Sequence, residues 1–427
     1  MAYYQTRLSN GLKLIFIPAK ATKAVTVLVM LPVGSRYETP GANGVSHFIE
    51  HMMFKGTKRR PSNLAIAKEL DKIGAQYNAF TGKDHTGYWV KVVGEKMGLA
   101  FDILADILFN SLFDRAEFQR EKGVIIEEIK MYEENPLFHI EDLFEKLLFG
   151  VHPLGALISG QISAVKKMTR QKLLSYKEEF YQPSQMLVVV AGNVKKSRIT
   201  RLVKRYFSLY HGRKRKNKYL PFEKKFTRVC HRVSLLFKDI KQAQIALGGL
   251  AYPYTHPKLE AALLLGIILG GNMSSRLFTE VRVKRGLAYF INSSLGVYQD
   301  TGEYEIRAGV DRERTPEALR IILDELKKIK EKEVAEEELS RAKDYVKGTL
   351  SLSLEDSANL ASWYGKQALL ASKILTPKEK LTRIERVTQK DIQKVANDFF
   401  ASQGLNLALI GPFKQNKPFL RILKEGV

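Results

Sequence analysis

One cysteine, Cys230, stands in 427 residues, so an intrachain disulfide is excluded and a reducing compartment is the natural fit. Long apolar runs are missing as well. The longest, near residues 261–269, falls well short of a membrane span, and the first residues show no basic stretch followed by an apolar core. We therefore expect a cytoplasmic protein with no membrane span. Acids are the third shortage: 45 Asp and Glu face 69 Lys and Arg, for a formal net charge of +24. Part of the excess is local, because residues 213–241 hold eleven Lys or Arg and two acids. Such a run could meet nucleic acid or an anionic membrane surface. No nucleic-acid motif accompanies it, and solvation of a linker explains it without a specific nucleic-acid partner. What the chain does have is 45% hydrophobic residues over a length that allows two substantial cores.

Residues 47–51 read H-x-x-E-H. One helical turn brings positions i and i+4 to the same face, so His47 and His51 can aim their imidazoles at one point, and a metal ion can sit there. Glu50, three residues after His47, lies on nearly the same face, where its carboxylate could take a proton from water. Gly44 just upstream is a helix-start signal, and Phe48, Ile49, Met52, Met53 and Phe54 make the helix apolar, hence buried. Two histidines and a glutamate inside a buried helix are costly unless a divalent ion satisfies them. The pattern points to a zinc hydrolase.

Catalytic zinc usually takes three protein ligands and keeps one position for water. A carboxylate is therefore needed. Residues 120–132 continue a helical pattern from about Ala116, with Glu121 and Glu128 two turns apart on one face. Glu127 is rotated about 100° from Glu128 and suits a solvated position. Spacing alone leaves 127 and 128 unseparated as ligand.

At this point a resemblance becomes specific. The order H-x-x-E-H marks the inverzincins, and three stretches in series resemble the M16 peptidase family, which includes mitochondrial processing peptidase and insulin-degrading enzyme: GVSHFIEHMMFKGT over residues 44–57, NAFT over 78–81, and residues 121–128. The resemblance implies one zinc per chain, held by His47, His51 and Glu128, with Glu50 as catalytic base and Glu121 supporting the site. It implies an edge strand at Asn78, Ala79, Phe80 and Thr81 to which an extended substrate adds. A fourth stretch, SSRLFTEVRVKRGLAY at residues 274–289, is similar to the family segment whose arginine and tyrosine hold the substrate carbonyl; here these are Arg282 and Tyr289. Departures are mild, such as Ser46 where alanine is more usual. The basic composition makes a family preference for basic substrates doubtful.

The chain also repeats itself. Shifted by 219 residues, Thr169 aligns with Thr388, Leu173 with Ile392, and residues 186–192 with 405–411, without a gap. Each copy reads as a helix, a polar turn and a buried strand ending in glycine. Further strands are expected at 12–18, 25–33, 88–93, 243–250 and 304–310. The fold class is therefore α+β: two homologous α/β-sandwich domains, each a mostly antiparallel sheet packed with helices, together forming half of a clamshell. The expected domains are a zinc-binding one at 1–210, a basic linker at 211–226, and a substrate-binding one at 227–427.

The expected function is zinc-dependent cleavage of unfolded peptides in a dimeric chamber. In the family, chains of this size pair, and the arginine and tyrosine act on the facing subunit's site. A homodimer is expected because this chain carries both signatures. The alternative is a non-catalytic M16-like structural or assembly subunit, in which loss of a ligand would be usual.

Overall fold

The central strands are apolar along their whole length because they are covered on both faces. In β2 (Lys13–Pro18), Leu14 and Phe16 enter one core while Ile15 and Ile17 enter another. β3 (Ala24–Leu31) does the same with Val25, Val27, Val29 and Leu31 against Leu28 and Met30. The computed structural model describes residues 3–212, 218–223, 232–401 and 404–426. Cys230 and parts of the expected linker, 213–217 and 224–226, lie outside them.

Two compact units emerge. The first comprises Met1–Lys130, Ala156–Leu220 and Leu350–Pro377; the second comprises Met131–Gly155, Pro221–Thr349 and Lys378–Val427. Contact, unlike chain order, thus assigns each unit a segment from the other half of the sequence.

In the first unit, β1 (Tyr4–Arg7), β2, β3, β4 (Gln76–Thr81), β5 (Thr86–Val93) and β6 (Leu187–Gly192) form a sheet in the order β1-β2-β6-β3-β5-β4. Only the β2–β6 pair is parallel. Its helices are α1 (Val45–Met53), α2 (Asn63–Asp71), α3 (Met97–Asn110) and most of α4 (Arg115–Glu134), followed after α5 by α6 (Ile162–Lys167), α7 (Arg170–Phe180) and α8 (Lys196–Phe207). Helix α5 (Pro136–Phe149) belongs to the second unit.

There the sheet runs β7-β11-β8-β10-β9, from β7 (Arg232–Phe237), β8 (Gln242–Ala251), β9 (Ala288–Val297), β10 (Gly302–Asp311) and β11 (Asn406–Gly411). Again one pair, β7–β11, is parallel. Helices α9 (Leu259–Gly270), α10 (Thr315–Glu331), α11 (Glu336–Ser353), α13 (Pro377–Glu385), α14 (Gln389–Phe399) and α15 (Lys417–Glu425) complete this half of the chain, with α12 (Ser357–Leu370) assigned to the first unit.

The duplication is visible in three dimensions. Helices α7 and α14 are capped by Thr169 and Thr388, the residues just before them, and each threonine side chain accepts a backbone N–H of the first turn. The strands that follow, β6 and β11, hold equivalent central positions, each with one parallel and one antiparallel neighbour. Helix α12 covers one face of the first sheet through Leu360, Ala361 and Tyr364; α5 covers the second through Ile140, Phe144 and Leu148. The fold is two mixed sheets packed with helices, as the sequence pattern implied.

Candidate metal centre

Helix α1 starts at Gly44, which has φ +89°, and a Cβ there would lie 2.6 Å from the Ser159 carbonyl oxygen, so glycine is required. The free N–H groups of its first turn are met by a buried carboxylate. Glu38 accepts from the amides of Gly44 at 2.7 Å and Ser46 at 2.8 Å, and from Asn43 Nδ2 at 3.3 Å. The position favours negative charge, because peptide dipoles leave a helix N-terminus partly positive. Val45, Phe48, Ile49, Met52 and Met53 are buried. Phe48 stacks on Phe118 of α4 at 5.0 Å, so α4 touches α1 there, and Ile125 and Ile129 of α4 are buried.

This packing brings the expected ligands together. One donor atom from each of His47, His51 and Glu128 lies within 4.8 Å of the others, the one such group of three His, Cys, Asp or Glu residues among the described residues. His47 Nε2 is 3.8 Å from Glu128 Oε1, and His51 Nε2 is 3.4 Å from Glu128 Oε2. Glu121 Oε2 is 3.1 Å from His51 Nδ1, which fixes the ring and leaves Nε2 toward Glu128. Lys55 holds the other Glu121 oxygen at 2.6 Å. Glu127 points away: it is 71% exposed and pairs with Lys130.

The electrostatics fit a cation. Burial, then the neighbouring His51, lowers His47 to about 4, so its imidazole is neutral and can donate a lone pair. His47 Nδ1 is buried without a hydrogen-bond partner. Burial also disfavours charge on His51, but hydrogen bonds to Glu121 and Glu128 outweigh it and raise the group to about 9. Without a metal, His51 thus holds a proton between two carboxylates, a positive charge where a divalent ion would bring two. The His51 hydrogen bond holds Glu128 below its ordinary value. Two imidazoles and one carboxylate, with the second nitrogen of His51 held by an acid, match the donor chemistry of zinc once the His51 proton is displaced.

Glu50 sits on the same helix. Burial raises its carboxyl, a hydrogen bond from Thr81 opposes the rise, and the charges of His51 and Glu128 act on it. Thr81 Oγ1 donates to Glu50 Oε2 at 2.5 Å. Asn78, Ala79, Phe80 and Thr81 lie in β4, the outermost strand, paired with β5 alone. The Ala79 amide donates to the Asn78 side chain, Oδ1, at 2.8 Å.

Arg282 and Tyr289 belong to the second unit. Arg282 lies in a single π-helical stretch, Phe278–Val283, with its guanidinium carbon 4.9 Å from the Phe278 ring centre and 5.7 Å from that of Tyr289. Tyr289 is 73% exposed. Two contributors escaped the sequence reading: Lys55, one turn past His51, and Glu38, nine residues before His47. Both act through tertiary geometry, and the only trace of Lys55 was its i+4 spacing.

Comparisons with known proteins converge on one family. Residues 14–161 match the family model described as insulinase (peptidase family M16), and residues 167–346 match the one described as peptidase M16 inactive domain. A Bacillus subtilis protein described as the uncharacterized zinc protease YmxG is 36% identical over 409 residues, 94% of this chain and 97% of that relative. An uncharacterized zinc protease of Streptomyces coelicolor is 33% identical over 417 residues, 97% and 90% of the two chains. The crystal structure of a protease from Helicobacter pylori has the same fold, with a TM-score of 0.91, 24% identity, and coverage of 96% of this chain and 99% of that one. The chain belongs to peptidase family M16.

Proposed function

We propose that the protein is a zinc-dependent endopeptidase acting on unfolded peptides, with His47, His51 and Glu128 as metal ligands and Glu50 as general base. The convergence of those three donors beside Glu50 carries this reading. Zinc bound there would supply a Lewis acid that polarises the scissile carbonyl and makes water acidic enough to lose a proton near neutral pH. The protein's own groups do the rest. Glu50 accepts a proton from the attacking water and returns it to the leaving amine. Glu121 and Lys55 keep the His51 ring oriented. Strand β4 receives an extended substrate by main-chain hydrogen bonds, which read backbone more than side chains and so select unfolded chains. Arg282 and Tyr289 supply donors for the charge that develops on the carbonyl oxygen.

Such chains would work as homodimers enclosing a chamber, with Arg282 and Tyr289 of one subunit serving the zinc site of the other. The match of residues 167–346 to the inactive domain raises a second reading, a non-catalytic assembly subunit. A chain of that kind has no reason to retain every ligand, whereas all three stand here with the base beside them. The test is metal analysis combined with cleavage of an unstructured peptide. One zinc per chain is expected, with cleavage abolished by chelation and restored by zinc. Purified protein that binds no transition metal stoichiometrically overturns the proposal, and one that binds zinc without cleaving peptides supports the assembly role.

A further inference from the structure

Glu50 needs more than proximity to work as a base. Its carboxylate ends a side chain with several rotatable bonds, so something must choose one orientation, and that orientation governs the rate. Among the described residues, a single side chain hydrogen-bonds to it. Thr81 Oγ1 donates to Oε2, and Oε1 accepts no hydrogen bond from the described residues.

The location of Thr81 suits this task. Alternation along β4 puts Thr81 on the same face as Tyr77 and Ala79, which pack against the core containing α1, while Phe80 packs against the opposite core. The turn beyond Thr81 is tied down. Gly82 N–H donates to the His85 carbonyl, Ser35 N–H to Gly82, Arg36 N–H to Lys83, and Thr86 Oγ1 to Val33, all at 2.8–3.1 Å. Arg36, with its side chain fully buried, pairs with Asp84 at 3.0 Å. A Cβ at Gly34 would collide with the Gly82 carbonyl oxygen, so the backbones meet closely only because glycine stands there.

We propose that Thr81 is a positioning residue for Glu50: its hydroxyl, held by the anchored β4–β5 turn, fixes the carboxylate so that Oε1 faces the reacting water. The edge strand then divides its labour. Main-chain groups of β4 are left for substrate, while the Thr81 side chain is committed to the base. This rests on the peptidase reading above and adds a role for a residue otherwise counted only among substrate contacts.

Thr81→Val keeps the shape and removes the donor; Thr81→Ser keeps the donor and removes the methyl group. For zinc-loaded protein and an unstructured peptide, Thr81→Val is expected to lower kcat roughly 10- to 100-fold, the scale of a small misplacement of a reacting group. KM, zinc content and melting temperature should stay at wild-type values, and Thr81→Ser should restore most of kcat. A raised KM at unchanged kcat would make Thr81 a substrate contact and overturn the proposal; so would equal defects in the Val and Ser proteins. A readout independent of turnover is the crystal structure of each zinc-loaded protein. The Glu50 carboxylate should be displaced or spread over conformers in Thr81→Val, and an unmoved carboxylate refutes the idea. Wild-type protein that binds zinc and cleaves nothing would instead refute the peptidase reading, with the structural comparison still deciding whether Thr81 orients Glu50.

Discussion

Glu38, Glu50 and Glu128 carry the same carboxyl group and are driven apart by what surrounds them. Glu128 is held low by His51, Glu50 is raised by burial, and Glu38, buried among the neutral donors of Asn43, Gly44 and Ser46, is pushed up to about 7 even though those hydrogen bonds favour its charged form. The Glu38 shift has a sign that can be tested. Its folded pKa lies above the ordinary 4.5, so the folded protein keeps a proton that the unfolded chain has released. The associated stability is complete below about pH 4.5 and is lost as pH rises through 7. Glu38→Gln removes this titration. Measured by denaturant unfolding, the stability of wild type relative to Glu38→Gln should be greater at pH 5 than at pH 8, by on the order of 2 kcal/mol. Parallel pH profiles for the two proteins would show that Glu38 does not titrate in this range. At this scale the sequence revealed types better than partners. His47, Glu50 and His51 were legible because helical spacing alone puts them on one face. Glu127 and Glu128 were not separable, because they differ by one position on a helix whose rotation is set by Phe48 stacking on Phe118. Lys55 looked like an ordinary polar residue, and Thr81 like one of four substrate-strand residues, until the fold supplied Glu121 and Glu50 as their partners.

Among the elements, the central strands were legible from periodicity, whereas the edge strand at residues 78–81 was expected only from the family resemblance. β2, β3, β6, β8 and β11 announce themselves as apolar runs because both faces are buried, and their bounds fall within two residues of those expected. Helix α4, expected from about residue 116, runs Arg115–Glu134. The edge position of β4 comes from its pairing with β5 alone, a long-range fact that periodicity does not carry. That position makes a prediction about substrate binding. The Ala79 amide is bonded to its neighbour's side chain and not to the strand ladder, so it can be given up without breaking the sheet. Proline is tolerated on edge strands for this reason. Ala79→Pro should therefore leave zinc content and melting temperature near wild type while raising KM for an unstructured peptide about 10-fold, the equivalent of one lost hydrogen bond of roughly 1.4 kcal/mol. An unchanged KM would move the substrate away from this edge.

The whole molecule is a duplicated unit whose copies have diverged and traded parts. The matching order of parallel and antiparallel pairs was foreshadowed by the 219-residue repeat, but the exchange of α5 and α12 was not, since an amphipathic helix reads the same whichever sheet it covers. Divergence has left the proposed metal ligands and the proposed base in the first unit and Arg282 with Tyr289 in the second. If two copies of the chain complete each other's sites, as proposed above, Glu50→Gln and Tyr289→Phe damage different halves of one reaction centre. Each homodimer should be nearly inactive. In a mixed dimer, the chain with intact Glu50 meets the partner with intact Tyr289, so one of its two sites is whole. Random exchange of subunits in an equal mixture should then recover about one quarter of wild-type activity, since half the dimers are mixed and each carries one good site. Recovery of this kind would depend on subunit exchange, so it should develop with incubation and vanish when the dimers are cross-linked beforehand. Mixtures that stay inactive after exchange is verified by mass would place the base and the tyrosine in the service of the same chain.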